Sequence, residues 1–263
     1  IDIVQILLQA GADINAVDYY GNTALHHAGN ADIAHMLLQA GADINAVNKS
    51  GYTAVFNAMN NKDVDMTKML INAGATMSTN RGDSLLHAAA SYGLVEIVEL
   101  LLNEDNVNST NDRGSTPLHK ARTAEIVQML IQAGADVNAV DHDGSTPLHF
   151  IKNPDAAQLL IQAGVNVNAV NNYGKTPFFS AVYFGSAGVV QTLVQAGADI
   201  NAVDNDGDTA LHLVAYDGSA EEVDLLLQYG VDKNIVNNKG QTALSIAIDQ
   251  GDKEKVLLLL RHV

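Results

Sequence analysis

The sequence predicts an all-α repeat solenoid, in which helix-turn-helix repeats stack and are joined by β-hairpin-like finger loops. A glycine recurs along the 263-residue chain at intervals of 30, 31, 32, 30, 30, 33 and 33 residues, and a period of roughly 20 to 50 residues is typical of stacked arrays. Each glycine is followed closely by a threonine or serine, a short apolar stretch and an amphipathic segment. The recurring glycines are Gly21, Gly51, Gly82, Gly114, Gly144, Gly174, Gly207 and Gly240.

A short first helix is predicted just after each of these glycines. In Thr146-Pro147-Leu148-His149 the threonine suits the N-cap position. Proline at the next position loses no helical hydrogen bond, because the first N–H groups of a helix have no partner within it. Three repeats have only 30 residues, and the missing residues lie between the first helix and the second. We therefore expect the first helix of these repeats to lose most of a turn.

A longer second helix is predicted from apolar residues spaced three and four apart, as in residues 126–131. Gly134 follows where a left-handed residue commonly ends a helix. The repeat that begins at residue 79 lacks this glycine, so we expect another cap there, Asn103. Between repeats, Asp141 and Gly144 occupy the first and fourth positions of a turn, which predicts a finger-like hairpin.

One repeat has too little apolar surface to fold alone, so neighbours must stack and share a core. We interpret the whole chain, 1–263, as one domain that begins inside a repeat, and we expect further residues upstream. The last helix, near 253–261, is expected to act as a modest polar cap or to precede another repeat. Its polar residues are Lys253, Glu254, Lys255, Arg261 and His262. The predicted divisions are a truncated repeat at 1–17, repeats at 18–47, 48–78, 79–110, 111–140, 141–170, 171–203 and 204–236, and a last repeat at 237–263.

The phrases Asp-x-x-Gly-x-Thr-Pro-Leu-His and Leu-Leu-x-x-Gly-Ala-Asp-x-Asn-Ala together resemble the ankyrin repeat. The clearest copies run through 111–140 and 204–236, and the resemblance covers the whole chain. It implies a non-catalytic protein-interaction module whose fingertips face the concave side. It also implies that the recurring histidine braces the turn through hydrogen bonds. Asparagine hydroxylation at Asn15, Asn45, Asn138 and Asn201 is a further property that the resemblance raises.

Composition narrows the classes of partner. The chain has 14 Lys and Arg against 30 Asp and Glu, a net charge of −16, which disfavours nucleic acid and anionic membranes. No apolar run is long enough to span a bilayer. Cysteine is absent, which removes thiol chemistry and is consistent with a reducing compartment. We expect a cytoplasmic monomer without cofactors, or one delivered into the cytoplasm of a host cell.

Three arrangements that suggest chemistry have stronger structural interpretations. The repeated histidines cannot share a zinc ion, because equivalent residues of stacked repeats lie about 8 to 10 Å apart. The acidic run from Asp204 to Asp208 lacks the glycine and glutamate positions of a calcium loop. The set Ser115, His119 and Asp141 follows from the repeat itself, without a nucleophile elbow. We therefore predict no catalytic, metal or nucleotide site.

The positions beside each turn glycine vary most, and we expect them to contact a protein or peptide partner. Tyrosine and arginine commonly anchor protein interfaces. Tyr92, Tyr183, Phe184 and Tyr216 extend this surface along the first helices, and Asn80 is a further fingertip position. The predicted contact residues are Tyr19, Tyr20, Asn22, Lys49, Tyr52, Arg81, Asp83, Arg113, His142, Tyr173, Lys175, Asp206 and Asp208.

Two functional hypotheses remain at this point. The chain is an interaction module that binds a protein or peptide along its concave fingers and first helices. Alternatively, it is the targeting part of a larger enzyme, or of a bacterial effector or toxin, whose active domain lies outside this chain. The near-identical repeats and abundant asparagine resemble ankyrin proteins of intracellular bacteria that act on host proteins.

Overall fold

The computed structural model describes residues 2–77, 81–103 and 106–261. The secondary structure of these residues confirms the predicted all-α class. Within these ranges the chain forms 15 α-helices and two 3-10 helices, and β structure is limited to one isolated bridge between Val203 and Thr209. The predicted fingertip residue Asn80 and the predicted cap residue His262 lie outside the described residues. By contacts the chain forms two compact units, Ile1–Ala121 with Gln132–Ala135 and Arg122–Ile131 with Asp136–Val263. We call them the N-terminal and C-terminal units.

In the N-terminal unit, the first helices and the second helices of the repeats form separate layers. The helices are α1 (Asp2–Gln9), a 3-10 helix (Ala24–His27), α2 (Ala31–Gln39), α3 (Ala54–Asn60), α4 (Val64–Asn72), α5 (Leu85–Tyr92), α6 (Val95–Leu101) and α7 (Pro117–Lys120). Among the first helices, α3 packs on α5 and α5 on α7, and among the second helices, α2 packs on α4 and α4 on α6.

The C-terminal unit repeats this arrangement. The helices are α8 (Ala124–Gln132), a 3-10 helix (Pro147–Phe150), α9 (Pro154–Gln162), α10 (Pro177–Tyr183), α11 (Ala187–Gln195), α12 (Ala210–Asp217), α13 (Ala220–Gln228), α14 (Ala243–Asp249) and α15 (Lys253–Arg261). The first helices α10, α12 and α14 pack in sequence, and among the second helices α9 packs on α11 and α13 packs on α15.

Leucines at equivalent repeat positions form the core of each unit. The residue before the recurring histidine is fully buried in Leu25 and Leu86 of the N-terminal unit and in Leu148 and Leu211 of the C-terminal unit. Truncating such a leucine to alanine costs about 2–5 kcal/mol, because a cavity adds to the lost transfer free energy. Stacking therefore supplies the apolar burial that a single repeat lacks.

The shortened first helices of the 30-residue repeats are confirmed. They have four residues each, at Ala24–His27, Pro117–Lys120 and Pro147–Phe150, whereas first helices elsewhere have seven or eight. Two of the three are 3-10 helices. A single turn is readily accommodated by the tighter 3-10 geometry. The deletions thus shorten one helix without interrupting the repeat.

The predicted Asn103 cap of α6 is wrong. The helix ends at Leu101, and the backbone of the next residue, Leu102, is extended. The polar group that reaches the end of the helix is the Asn106 amide, which donates to the Leu101 carbonyl at 2.6 Å. Asn103 instead exchanges hydrogen bonds with Asn106. An asparagine five residues beyond the carbonyl satisfies the helix end because no left-handed glycine is present.

Lys255 of α15 also differs from the expected solvent-facing cap. It is only 5% exposed. Its ammonium group donates to the carbonyls of Val214 and Ala215 at 3.3 and 3.2 Å, and it lies 3.4 Å from the Asp252 carboxylate. These carbonyls belong to the last turn of α12, where a positive charge is favourable.

Candidate protein-binding surface

Each finger whose first residue the structure describes is closed by the side chain at that position. Asp141 Oδ1 accepts hydrogen bonds from the backbone N–H groups of Asp143 and Ser145 at 3.0 and 2.9 Å. The Asp141 N–H donates to the Ser145 carbonyl, and Gly144, at φ 72°, supplies the left-handed turn residue. The same side-chain acceptor closes the fingers that begin at Asp18, Asn48, Asn111, Asn171, Asp204 and Asn237.

Successive fingers are joined by backbone hydrogen bonds. In the N-terminal unit the Lys49 N–H donates to the Tyr20 carbonyl at 3.0 Å. In the C-terminal unit the Asn205 N–H donates to the Tyr173 carbonyl at 3.0 Å, and the Asn238 N–H donates to the Asp206 carbonyl at 2.9 Å. Fingers held on both sides in this way present their tip side chains on a fixed backbone.

The recurring histidines have the structural role that the family resemblance implies. His149 Nδ1 accepts from the Thr146 N–H at 3.0 Å, and its Nε2 lies 3.1 Å from the Lys175 carbonyl of the next finger. Because the two backbone groups are a donor and an acceptor, they select the neutral Nε2–H tautomer. Burial lowers the pKa of His149 and of His87. The Nδ1 bond recurs at His26, His87, His119 and His212.

Other residues replace this histidine in three repeats. Ser245 Oγ accepts from the Thr242 N–H at 3.1 Å and so reproduces the Nδ1 contact. Phe179 is buried, while Phe56 is half-buried. Both phenylalanines lie on first helices beside the fingers, so the substitution adds aromatic rings to the fingertip side of those repeats.

The predicted contact residues of the first finger come together. Tyr19 and Tyr20 are 81% and 67% exposed, and their rings meet edge to face with 5.3 Å between centroids. Lys49 Nζ lies 4.5 Å from the centroid of the Tyr19 ring and donates to the Tyr19 carbonyl. This cluster is exposed and is held by contacts within the chain.

Three other predicted contact residues of the N-terminal unit also serve the fold. Tyr52 is half-buried and stacks on Phe56, with centroids 3.9 Å apart. The Asn22 amide oxygen accepts from the Asn48 side chain at 2.9 Å. The Asp83 carboxylate accepts from the Asn111 side chain at 2.6 Å. Arg81 and Arg113 are exposed and give these fingertips positive charge.

The fingertips of the C-terminal unit are more acidic. The Tyr173 hydroxyl donates to the Asp143 carboxylate at 3.1 Å, which raises the pKa of Tyr173. His142 and Asp206 are exposed, and Asp208 is half-buried, with its carboxylate accepting from the Asn237 side chain at 2.7 Å. Lys175, also half-buried, has its Nζ 5.0 Å from the Phe179 ring centroid.

An open pocket of about 490 Å³ lies between the fingers and first helices of the C-terminal unit. It brings together the predicted residues Lys175, Asp206 and Asp208. Tyr216, predicted as an extension of the surface, lines the pocket and is 64% exposed. Asp249 also lines it. Sequence reasoning missed Asp249, although its place near the end of a first helix, as for Tyr216, was a usable signal.

Comparisons with known proteins decide the family. A model described as ankyrin repeats in three copies matches residues 29–111, 55–141, 122–204 and 196–263, and a model described as ankyrin repeats in many copies matches residues 1–38. The chain belongs to the ankyrin repeat family. Ankyrin repeats are a general protein–protein interaction module, and the proteins built from them are generally non-catalytic.

Two ankyrin relatives are much longer than this chain. The putative ankyrin repeat protein FPV115 of fowlpox virus (strain NVSL) is 38% identical over 141 residues, which cover 52% of this chain and 26% of that protein. The ANK repeat-containing protein nipk-1 of Caenorhabditis elegans is 34% identical over 96 residues, which cover 28% of this chain and 16% of that protein. The chain therefore spans about a quarter or less of these curated relatives.

The ankyrin surface is suited to binding through side chains at fixed positions. In each unit, fingertips and the exposed sides of first helices form what we call the finger face. Across residues 2–77, 81–103 and 106–261, no group of three or more His, Asp and Glu side chains is arranged to hold a metal. None of the described helices is long and apolar enough to cross a lipid bilayer.

Proposed function

We propose that this ankyrin repeat chain binds a protein partner through the finger face. The observation that carries the proposal is the contrast between the fixed finger backbones and the exposed aromatic residues at their tips. Tyr19, Tyr20 and Tyr173 are each more than half exposed, although their backbones are held by the finger hydrogen bonds. Large apolar rings exposed on rigid backbone are costly to leave in water and inexpensive to order on binding.

The hydrogen-bond pattern supports a division of the predicted contact residues into those that hold the fold and those left for a partner. Asn22 and Asp83 are engaged by the next finger, and Tyr52 stacks within the face. Replacing these residues would disturb the repeat stack as well as any partner. Tyr20 and Arg113 are exposed at the tips, so they can be changed with little effect on folding. We assign them as partner contacts of the N-terminal unit.

The test is quantitative affinity capture from a cell lysate, followed by mass spectrometry. The bait carries Tyr19→Ala, Tyr20→Ala and Arg113→Ala, and it is compared with the unchanged chain. A matched control carries His35→Ala and Gln39→Ala, which are exposed positions on α2. Proteins lost from the finger variant and retained by the control support the proposal. Equal recovery with all three baits, at unchanged melting temperatures, contradicts it.

A second proposal is that the chain targets a larger protein whose active domain, enzymatic or effector, lies outside it. The short share of the relatives' length that it spans favours this idea. We further propose cytoplasmic action, in a host cell where the source is an intracellular pathogen or virus. Sequencing the complete gene tests the larger-protein idea, because a reading frame that adds only further repeats on both sides rules it out. Fractionation of cells that produce the complete protein tests the location.

A further inference from the structure

We propose that the pocket in the C-terminal unit receives a lysine or arginine side chain from the partner, so that the partner segment is basic. This inference rests on the proposed function, because it specifies the chemistry of a partner bound at the finger face. The pocket is formed by the fingers Asp204–Asp208 and Asn237–Gln241, by Lys175 of the preceding finger, and by helices α10, α12 and α14. Every residue that lines it belongs to the C-terminal unit.

Aromatic and aliphatic side chains form the inner wall of the pocket. Phe179 from α10, Leu213 and Tyr216 from α12, and Ile246 from α14 line it. The Tyr216 side chain is 64% exposed, and it makes neither a hydrogen bond nor a ring contact with the residues that the structure describes. The methylene groups of a lysine or arginine side chain can pack against this apolar wall. The cationic head group of the same side chain is attracted to aromatic faces.

The rim of the pocket is negatively charged. Asp204, Asp206, Asp208 and Asp249 line it against two ammonium groups, those of Lys175 and Lys239, so four negative and two positive charges leave a net charge of −2.

The four carboxylates are not equally available. Asp204 and Asp208 are engaged by the turn and by Asn237. The carboxylates of Asp206 and Asp249 have no hydrogen bond or ion pair with any described side chain or backbone group. These two carboxylates are the groups free to pair with an incoming cation. The low-dielectric wall strengthens the electrostatic attraction between the two charges.

A cation of the chain itself already lies at this wall. Lys175 Nζ is 5.0 Å from the centroid of the Phe179 ring, within the range of a cation–π contact. The contact shows that the pocket accommodates an ammonium group beside an aromatic face. It also makes Lys175 a competitor of the incoming side chain, rather than the direct partner contact that the sequence pattern predicts. Removing its charge is therefore expected to strengthen binding of a basic partner.

The pocket favours a peptide over other basic ligands because acidic and apolar side chains line it together. A basic side chain that pairs with Asp206 leaves Leu213 and Ile246 to contact an apolar neighbour. An extended segment with a basic residue beside an apolar one satisfies both. Electrostatic attraction of this kind also speeds association and weakens as salt screens it.

The test uses the complete 263-residue chain and a phage-displayed library of random peptides. Peptides enriched on the chain are synthesised with a fluorescent label, and their affinities are measured by anisotropy. The acid variant carries Asp206→Asn and Asp249→Asn. Its control carries Glu125→Gln and Glu254→Gln, which remove the same charge from exposed positions on second helices. Two further variants are Lys175→Gln and Tyr216→Ala, the latter paired with Tyr216→Phe.

We expect enriched peptides to contain lysine or arginine above the library average. The acid variant should bind them about tenfold more weakly, because it removes two attractive charges, while the control stays within about twofold. Lys175→Gln should tighten binding about threefold, and Tyr216→Phe should retain binding that Tyr216→Ala loses. Enrichment without basic residues, or equal affinity for the acid variant and its control, overturns the inference.

Failure of this inference is distinguishable from failure of the proposed function. Peptides whose binding is lost with Tyr20→Ala and Arg113→Ala but kept by the acid variant support binding at the finger face and overturn the basic-residue assignment. Peptides that bind every finger-face variant as well as the unchanged chain overturn both. The melting temperature of each variant, measured by circular dichroism, identifies losses caused by unfolding.

Discussion

The replacement of His149 by alanine tests whether the recurring histidine is a structural brace. His149 is 2% exposed, and its two ring nitrogens bond the Thr146 N–H and the Lys175 carbonyl. Truncation leaves both backbone groups without these partners and opens a cavity. Each orphaned buried group costs about 1–3 kcal/mol, so we expect His149→Ala to lower the free energy of unfolding by about 3 kcal/mol.

Two matched variants give this value a reference. His142 is exposed at the adjacent fingertip, so His142→Ala should change the free energy of unfolding by less than about 0.5 kcal/mol. His149→Ser should recover about half of the loss, because Ser245 already satisfies the equivalent N–H of its own repeat. Urea unfolding followed by far-UV circular dichroism measures all three. Equal stability of His149→Ala and His142→Ala would refute the bracing role.

The same contact predicts a pH dependence with a definite sign. Burial lowers the pKa of His149 below its ordinary value of 6.5 in the folded chain. As the pH falls through 6.5, the unfolded chain therefore takes up a proton before the folded chain does, and stability decreases. The loss levels off below the folded pKa. His149→Ala lacks this contribution, so its stability should fall less steeply over the same range; an equal or steeper slope contradicts the assignment.

Three further predictions concern the fingers and the last helix. In urea unfolding, Gly174→Ala should destabilise the chain by about 2–3 kcal/mol and Gly164→Ala by about 1 kcal/mol. Both glycines have positive φ, but only at Gly174 would the new Cβ meet a backbone nitrogen, that of Asn205 at 2.6 Å. Equal losses of stability contradict this reasoning. Lys255→Ala should lower the free energy of unfolding more than Lys255→Met. Both substitutions leave the α12 carbonyls without the lysine donor, but methionine keeps the buried packing of the side chain. The reverse order rules out packing as the larger contribution. By NMR titration, the pKa of Asp18 should be about 2 and should rise towards 3.8 in the variant His27→Ala. The reason is that the hydrogen bond from His27 is the largest cause of the lowered Asp18 pKa. An unchanged Asp18 pKa in His27→Ala contradicts that cause.

Repeated positions made the fold predictable from the sequence. The same threonine, leucine and histidine follow the same glycine in most repeats, so the periodicity located both helices and the turn. Even the four-residue first helices followed from counting three missing residues. Every copy of the pattern constrains the others, which makes local errors rare. The exact divisions between repeats stay a prediction.

Contacts between side chains of neighbouring repeats were not predictable in the same way. Asn48 bonds Asn22 from 26 residues away, and the two positions look equally free in sequence. Asn106 replaced the expected Asn103 cap because the closing distance depends on the path of the chain. Lys255 has the polarity of a surface residue but reaches the end of α12. In each case the decisive neighbour is distant in sequence.

The proposed binding surface falls between these two cases. Its positions could be located from the repeat pattern, because fingertips vary while the turn residues do not. Which tip side chains are available depends on the hydrogen bonds that the stack consumes. Asp208 and Asp206 differ by two residues, yet only the carboxylate of Asp208 is engaged by the next finger. The pocket beside Tyr216 arises from three helices and three fingers, which no single repeat contains.

Site-specific photo-crosslinking tests the central claim most directly. A photoreactive phenylalanine is placed at Tyr20 or His142 on the fingertips, and in separate samples at Gln39 or Gln158 on exposed second-helix positions. After irradiation with cell extract, or with the selected peptides, adducts are identified by mass spectrometry. Binding through the finger face predicts adducts from the fingertip positions and none above background from the second helices. Adducts confined to Gln39 and Gln158 would contradict it.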